Sequence, residues 1–239
     1  MNNQMPGPGF IGRDVAEAMV SAVPHWHHKF EIFPGVVTPG AYDPLFMLEK
    51  LRLPHDMSGM RVLDVGPSDG FFSMQMALRG ATTTAIDYRD KNAHGFGVME
   101  HLTGLKFDYH QMNIYDIEHS RLGKFDVVLF LGVLYHLPDM MRALDTLTRL
   151  CRSRLIIETH IEPDFMPGVA AARYYEAATL AGDHTNFWVP NKECLHAMLR
   201  DTGLQIDSVD SWGKRMLVGT SIGAPGNDEK LRIAYGLFR

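Results

Sequence analysis

The sequence predicts an α/β protein with a doubly wound, mostly parallel sheet of seven strands that ends in an antiparallel C-terminal hairpin. From residue 61 onward, short apolar segments alternate with segments of helical spacing, which is typical of repeated strand–helix units. The last two strand-like segments, 204–212 and 215–221, are separated only by a turn at Trp212-Gly213-Lys214, which indicates a hairpin.

Composition narrows the class of protein. The 239 residues suffice for one large domain or one domain with an appendage, and 46% apolar with 21% charged residues is typical of globular proteins. A net charge of −5 disfavours a nucleic-acid-binding protein, because such proteins usually carry an excess of basic residues. No apolar stretch is long enough for a membrane span, and the N-terminus lacks a signal-peptide pattern. The two cysteines, Cys151 and Cys194, are expected in helices, as reduced thiols of a cytoplasmic protein.

Residues 1–57 predict a front segment before the core. Residues 1–10 are expected to be a flexible tail, 11–23 a helix that stops at Pro24, and 45–51 a second short helix. Pro54 and Ser58-Gly59 then separate this segment from a core over 58–239.

The core predicts alternating strands and helices. Its strands are expected at 61–65, 83–87, 105–112, 125–131, 154–159, 204–212 and 215–221, and its helices at 71–79, 92–102, 140–150 and 191–202. The run 125–131 is almost continuously apolar, as in a strand buried on both faces. Asn191 is the expected N-cap of the last helix, and Gly203 is expected to close it. Residues 161–190 form an insertion between the fifth strand and this helix.

A glycine-containing turn, Gly66-Pro67-Ser68-Asp69-Gly70, follows the first core strand. Glycine permits positive φ and lets a ligand lie against the main chain, and the start of the next helix offers N–H groups. In doubly wound sheets the ligand lies outside the carboxyl ends of the strands. The turn is therefore predicted to bind a polar ligand through its main chain.

The acidic residues around this turn favour S-adenosylmethionine (SAM) over a nicotinamide dinucleotide. Asp87 ends the second core strand, where an acid commonly binds the ribose diol that both ligands contain. The Gly-x-Gly-x-x-Gly fingerprint for a pyrophosphate is absent, and Asp69 at the helix entrance is expected to repel one. Asp64 suits the sulfonium and amino groups of SAM. A dinucleotide oxidoreductase is therefore a distant alternative.

Several segments resemble a known family. Residues 64–73 resemble motif I of class I SAM-dependent methyltransferases. Gly132-Val133-Leu134-Tyr135-His136 looks like a segment of the group that includes the tRNA wobble-uridine 5-oxyacetic-acid (carboxymethyl) methyltransferases, and residues 156–159, 173–174 and 186–191 fit the same group. The resemblance covers roughly residues 26–210. It implies a Rossmann-like core that uses SAM, with the front segment folded over the cofactor as a lid.

Departures from that group bear on the substrate. About 55 residues precede the core, which begins at residue 58. The tRNA enzymes instead carry a long, basic, helical extension before their core. His184-Thr185 stands where their arginine for the carboxylate of carboxy-SAM is expected, and the region of Thr38-Pro39-Gly40 lacks an expected tryptophan. A carboxylate without its cation is poorly held. Ordinary SAM and transfer of a methyl group are therefore expected.

The candidate site residues follow from these positions. Cofactor contacts are expected from Asp64, Gly66, Ser68, Gly70, Phe71, Asp87, Tyr88, Asn113, Ile114, Leu131 and Tyr135. Substrate contacts are expected from Trp26, His27, His28, Arg173, Tyr174 and His184. An oxygen acceptor must lose a proton, and the candidate catalytic groups are His136, Glu158 and His160.

Structural roles compete with these assignments. In the alternative interpretation, His136 is hydrogen-bonded to loop backbone and Glu158 anchors backbone. Arg173 would in that case brace the insertion through a salt bridge. Trp26 alternatively packs the lid onto the core and leaves both neighbouring histidines in solvent. No metal site is predicted, because no tight His/Asp spacing supports one.

The sequence thus predicts a SAM-dependent methyltransferase of a small molecule, acting by in-line transfer to the oxygen of a biosynthetic intermediate or secondary metabolite. The alternatives are a tRNA-modifying methyl- or carboxymethyltransferase at a wobble uridine and a non-catalytic SAM-binding protein. A small-molecule partner and no membrane are expected, nucleic acid is disfavoured, and a homodimer is left open.

Overall fold

The computed structural model describes residues 11–117, 122–223 and 228–236. In chain order the helices and strands are α1 (Arg13–Ala22), β1 (Glu31–Phe33), β2 (Val36–Val37), α2 (Leu45–Lys50), β3 (Arg61–Val65), α3 (Phe71–Leu78), β4 (Thr82–Asp87), α4 (Phe96–Thr103), β5 (Asp108–Gln111), β6 (Phe125–Leu131), α5 (Met140–Leu150), β7 (Cys151–His160), β8 (Ala172–Tyr174), β9 (Trp188–Pro190), α6 (Lys192–Asp201), β10 (Leu204–Trp212), β11 (Arg215–Ile222) and α7 (Asp228–Gly236). Short 3₁₀ helices cover Ile114–Asp116 and Leu134–His136.

Seven strands form one mixed sheet in the order β10-β11-β7-β6-β3-β4-β5. The pairs β3–β4, β4–β5 and β6–β7 are parallel, whereas β11 runs antiparallel to both β7 and β10. The crossing helices between parallel strands and the antiparallel C-terminal pair are those that the sequence predicts. The predicted fold class is therefore confirmed.

Residues 11–116 make up one compact unit of the described chain. Its strand β3 is buried from Val62 to Val65 and is flanked by β4, which is buried from Thr83 to Asp87. Because both strands are buried on both faces, their residues do not alternate between buried and exposed positions. Asp64 and Asp87 lie at or near the carboxyl ends of these strands, as expected for ligand-binding positions in this fold.

The front of this unit contains a small hairpin that the sequence does not predict. Strands β1 and β2 pair antiparallel. The Thr38 hydroxyl donates to the carbonyl of His28 (2.7 Å) and accepts from the amide of Phe30 (2.9 Å), so that one side chain joins the chain before and after the hairpin. Gly40 passes directly over His28, and a Cβ at Gly40 would lie 2.1 Å from the His28 carbonyl oxygen.

The described residues from Ile117 onward make up the second compact unit. Helix α5 buries Ala143, Leu144, Leu147 and Leu150, whose spacing places them on one face of the helix. Both long helices of this unit have side-chain N-caps, as their sequences favour. The carboxylate of Asp139 caps α5, and Asn191 accepts from the amide of Cys194 at the start of α6.

Several element boundaries differ from the sequence-based expectation. Helix α4 begins four residues later than expected, because residues 90–95 form turns in which Asp90 accepts from the amide of Asn92. Cys151 is the first residue of strand β7 rather than part of a helix, because the chain passes directly from α5 into the sheet; both cysteines are free. The hairpin β8–β9 and helix α7 also escape prediction. The expected tail, residues 1–10, lies outside the described residues.

None of the helices within the described ranges has the length and apolar character needed to cross a membrane.

Candidate active site

The turn after β3 has a backbone that requires its glycines. Gly66, Ser68 and Gly70 have φ values of 71°, 53° and 84°, in the left-handed region. A Cβ at Gly70 would lie 2.3 Å from Cε of Met99, so close packing adds to the conformational demand. Gly66 is tied to the next strand, because its amide donates to the carbonyl of Ile86 (2.8 Å). The turn is thus held in a compact shape that leads into the first residues of α3.

Asp64, which precedes this turn, is 2% exposed and accepts a hydrogen bond from the Ser73 hydroxyl (2.7 Å). Burial is the main influence on its carboxyl group and raises its pKa to about 6, although the Ser73 hydrogen bond acts in the opposite direction. The electrostatic effect of His28 also lowers the pKa of Asp64, and the electrostatic effect of Asp87 raises it. Asp64 is therefore a buried carboxyl group whose charge is costly at neutral pH.

Asp69 does not present its charge as the sequence suggests. Its side chain is fully buried; one carboxylate oxygen accepts from the amides of His27 (3.0 Å) and His28 (2.7 Å), and the other contacts Nδ1 of His28 (2.7 Å). Burial opposes ionisation, but the hydrogen bond and charge of His28 outweigh it and lower the pKa of Asp69. The expectation that Asp69 faces and repels a pyrophosphate is therefore corrected: this carboxylate anchors the front segment to the turn.

The three front-segment candidates have different surroundings. Trp26 is 4% exposed, packs against Gly95, and donates its indole N–H to the carbonyl of Val20 (2.9 Å). His28 is also buried, against Phe71 and Phe72 as well as Asp69, so the alternative of two solvent-exposed histidines does not hold for His28.

His27 is exposed, and its ring lies 4.8 Å from that of Tyr42. Among the three front-segment candidates, it alone presents its side chain to solvent in the unit described by residues 11–116.

Asp87, the expected ribose ligand, is paired with Arg89. The Arg89 amide and Nε donate to Oδ1 of Asp87 (3.0 and 3.1 Å), and Nη2 donates to Oδ2 (3.2 Å). A carboxylate has roughly four acceptor positions, of which Arg89 uses three, so Oδ2 retains capacity for a hydroxyl donor. Arg89 also contacts Nε2 of His94 (3.0 Å), and its backbone carbonyl accepts from Tyr109. Arg89 escaped the sequence-based selection, although it follows Asp87 by two positions.

The remaining cofactor candidates of this unit vary in exposure. Tyr88 is 67% exposed, and its ring lies beneath the Arg89 guanidinium. Phe71 is buried. Asn113 is exposed and accepts from the amide of Tyr115, while Ile114 is buried. A carboxylate acceptor together with the N–H donors of a left-handed turn and a helix start fits a cationic nucleoside such as SAM, which carries a ribose diol.

In the second unit, Glu158 pairs with Arg215. Both carboxylate oxygens of Glu158 accept from the Arg215 guanidinium, through Nε and Nη2, and Nη1 of Arg215 contacts the Tyr135 hydroxyl (3.2 Å). The Glu158 side chain is 3% exposed and that of Arg215 25%. Although burial acts against the charged form, the Glu158 carboxylate raises the pKa of Arg215. The sequence gives no local signal for this pair, because it depends on the register that places Leu217 opposite Glu158.

Three aromatic rings meet beside this ion pair. The ring of Tyr135 lies 4.1 Å from that of His136 and 4.6 Å from that of His160. Burial, followed by the charges of Arg215 and His136, lowers the pKa of His160 to about 4, so that this imidazole is neutral at physiological pH. Leu131, at the end of β6, lies opposite Glu158 in the register with β7 and is half-buried.

His136 is linked to the insertion. Its Nδ1 lies 2.9 Å from the Thr185 hydroxyl and 3.2 Å from the Thr185 carbonyl oxygen. The Thr185 hydroxyl and amide both donate to Oδ1 of Asp183 (2.7 and 2.8 Å). Asp183 and Thr185 escaped the sequence-based selection, which named only His184 between them; the Asp-x-Thr spacing of an Asx-turn is the signal that identifies them.

The insertion holds its other candidates at the surface. On strand β8, Arg173 and Tyr174 are exposed. His184, which lies outside this strand, is exposed as well. The Arg173 guanidinium lies over the ring of Tyr175, and the Tyr174 ring contacts Trp188 at 4.8 Å.

One amide organises the course of this insertion. Nδ2 of Asn191 donates to the carbonyls of Phe165 (2.9 Å), Met166 (3.3 Å) and Val169 (2.6 Å), and its Oδ1 accepts from the amide of Ala171 (3.2 Å).

Comparisons with known proteins agree with this geometry. A family model described as a methyltransferase domain matches residues 43–209. A ubiquinone biosynthesis O-methyltransferase of Xanthomonas euvesicatoria pv. vesicatoria is 30% identical over 181 residues, which cover 71% of this chain and 75% of that protein. A protein of the same name from Bordetella parapertussis is 30% identical over 176 residues, with coverage of 69% and 72%.

Solved structures share the fold. The N-terminal domain of EvdMO1 with SAH bound superposes with a TM-score of 0.67 at 17% identity, covering 90% of this chain and 98% of that one. A Burkholderia thailandensis 1,6-didemethyltoxoflavin-N1-methyltransferase gives a TM-score of 0.55 at 16% identity, with coverage of 70% and 72%. The chain belongs to the methyltransferase-domain family and is a SAM-dependent methyltransferase.

Proposed function

We propose that this protein methylates a hydroxyl oxygen of a small molecule, with His136 as the general base. The observation that carries the proposal is the environment of His136, whose Nδ1 is occupied by Thr185 within a cluster of aromatic rings. A hydroxyl group is a poor nucleophile until its proton is removed, and a positioned base accelerates such a step by roughly 10²- to 10⁴-fold. The curated relatives carry the name O-methyltransferase, which agrees with this chemistry.

Glu158 is a weaker candidate for the base. Its two carboxylate oxygens accept from one guanidinium, so that protonation of Glu158 would break a largely buried ion pair. We assign Glu158 the role of holding Arg215, which in turn fixes the Tyr135 hydroxyl.

His160 is also a weaker candidate, because a base is most effective when its pKa lies near the working pH. With a pKa of about 4, His160 binds a proton only weakly at neutral pH. We propose that it serves as a neutral ring that packs against Tyr135.

The cofactor residues are proposed from the first unit. The turn at Gly66, Ser68 and Gly70 holds the amino-acid part of SAM through its main chain, and Asp87 accepts from the ribose diol. Asn113, with its exposed side chain, lies on the adenine side. When bound, SAM supplies the electrophilic methyl group. In this proposal, residues of this chain hold the acceptor oxygen in line with that methyl group. His136 takes the proton of the acceptor hydroxyl.

The acceptor is proposed to bind through the insertion, where Arg173, Tyr174 and His184 have exposed side chains. His27 of the front segment is also exposed and stays a separate prediction as a substrate contact. A domain boundary near residue 57 with a substrate insertion over 161–190 remains the proposed organisation. The name of the curated relatives, ubiquinone biosynthesis O-methyltransferase, supports an oxygen atom of a small molecule as the acceptor. We further propose that the protein acts in the cytoplasm.

A methyl-transfer assay tests this function. Purified protein is incubated with SAM labelled in its methyl group and with separate pools of phenols and catechols, sugars, hydroxy acids and bulk tRNA. We expect label in an alkali-stable ether of a hydroxyl-bearing small molecule. Label found only in tRNA would instead support the wobble-uridine alternative, and label found only on nitrogen would contradict O-methylation.

A further inference from the structure

We propose that Asp183 and Thr185 are positioning residues that orient and tune His136 for proton transfer. This inference rests on the proposed role of His136 as the general base. The chain of contacts runs from the Asp183 carboxylate through the Thr185 hydroxyl to Nδ1 of His136, with heavy-atom distances of 2.7 and 2.9 Å.

Counting hydrogens fixes the direction of each bond in this chain. A carboxylate only accepts, so the single Thr185 hydroxyl proton points to Asp183. The Thr185 hydroxyl and carbonyl oxygens are then both acceptors toward Nδ1 of His136, and Nδ1 must carry the hydrogen. A neutral His136 therefore has its lone pair on Nε2. The tautomer is assigned from the network of donors and acceptors.

Charge reinforces this orientation. Partial burial works against ionisation of Asp183, but the hydrogen bonds from Thr185 and the influence of His136 lower its pKa, so Asp183 is ionised at neutral pH. An anion behind Nδ1 favours the imidazolium that forms when Nε2 takes a proton. Other groups in the described part of the chain that act on this region include Tyr135, His160, His184 and Arg215. Glu158 acts on Tyr135, and Lys214 acts on His160.

The proton balance of the step is simple. As the oxygen–methyl bond forms and the sulfur–methyl bond breaks, the acceptor hydroxyl transfers its proton to Nε2 of His136. Asp183 stays ionised throughout, and the imidazolium returns its proton to water after the product leaves. Asp183 and Thr185 touch neither acceptor nor cofactor in this scheme and act only through His136.

Nitrogen-15 NMR of histidine-labelled protein tests this proposal without any acceptor. In the wild-type protein we expect the Nδ1–H tautomer of neutral His136, with its resonance assigned by loss in His136→Gln. In Asp183→Asn we expect the His136 pKa to fall by about half a pH unit, the size of a charge interaction near 5 Å in a water-like dielectric. Thr185→Val is expected to lower it similarly. Asp164→Asn, which removes an exposed charge from the same insertion, is the matched control and is expected to leave it unchanged.

A pH–rate profile supplies the second measurement, with SAM and a catechol as the acceptor probe. The acidic limb in Asp183→Asn should move to lower pH by the same half unit, with a plateau lower by about tenfold. An Nε2–H tautomer in the wild type, or a His136 pKa unchanged in both variants, would overturn the proposal. If the wild type methylates no hydroxyl probe, the proposed function fails, while the NMR titration still decides the positioning role.

Discussion

Replacing Asp64 by Asn is expected to change how the stability of the protein depends on pH. The Asp64 carboxyl group is buried, and its pKa is raised from 3.8 to about 6. A group whose pKa is higher in the folded state than in the unfolded state stabilises the fold when protonated, and this contribution is lost as the pH rises through the folded-state value. Wild-type protein therefore loses stability between these two values because of Asp64, and an amide at this position does not titrate.

The size of the effect follows from the two pKa values. Their difference of about two units corresponds to about 3 kcal/mol over the full titration. Between pH 5 and pH 7 the linkage relation gives a loss of about 1 kcal/mol, because part of the difference is already lost below pH 5. Any constant cost of placing the amide beside Ser73 cancels when the two pH values are compared.

Urea unfolding of both proteins at pH 5, 6 and 7 measures this quantity. The free energy of unfolding of Asp64→Asn minus that of the wild type should rise by about 1 kcal/mol from pH 5 to pH 7. Asp116→Asn, at an exposed carboxylate, serves as the control and should show a flat difference. A flat or falling difference for Asp64→Asn would show that Asp64 does not carry a raised pKa and would refute the reasoning from burial.

Three further variants probe the same unit. Asp69→Ala leaves two amides and the His28 ring without their shared acceptor and should lower the free energy of unfolding by about 3–5 kcal/mol, seen as a lower urea midpoint. Gly70→Ala strains a φ of 84° and drives a methyl group against Met99, and should cost about 1–3 kcal/mol in thermal unfolding. Asp87→Ala should weaken SAM about 10- to 100-fold in calorimetry while the circular dichroism spectrum is retained; unchanged affinity would contradict the ribose assignment.

Much of the fold was predictable, because its signals are local. Strand β6 is apolar except for Asp126, and its predicted and observed bounds agree. Asn191 is the N-cap that its position before a helical pattern indicates. Short elements without such patterns were missed: β8 and β9 have only three residues each, too few to establish a strand pattern.

The charged partners of the acidic residues in the candidate site could not be predicted from the sequence. Asp69 looked like the charge at a helix entrance, but its partner His28 lies 41 positions earlier in the chain. Glu158 looked like a base, but Arg215 lies 57 positions later and reaches it only through the register of β11 with β7. Residue type and strand ends indicate where a polar group lies, whereas the neutralising partner depends on tertiary packing.

The Asn191 side chain has a consequence for how acceptor specificity can change. A single amide at the exit of the insertion satisfies three carbonyls near its entrance, at Phe165, Met166 and Val169. The stretch between is thereby closed at its base by groups outside it. Under the proposal that this insertion binds the acceptor, residues 172–182 can be exchanged between related enzymes to change acceptor choice, while Asp183, Thr185 and Asn191 are kept.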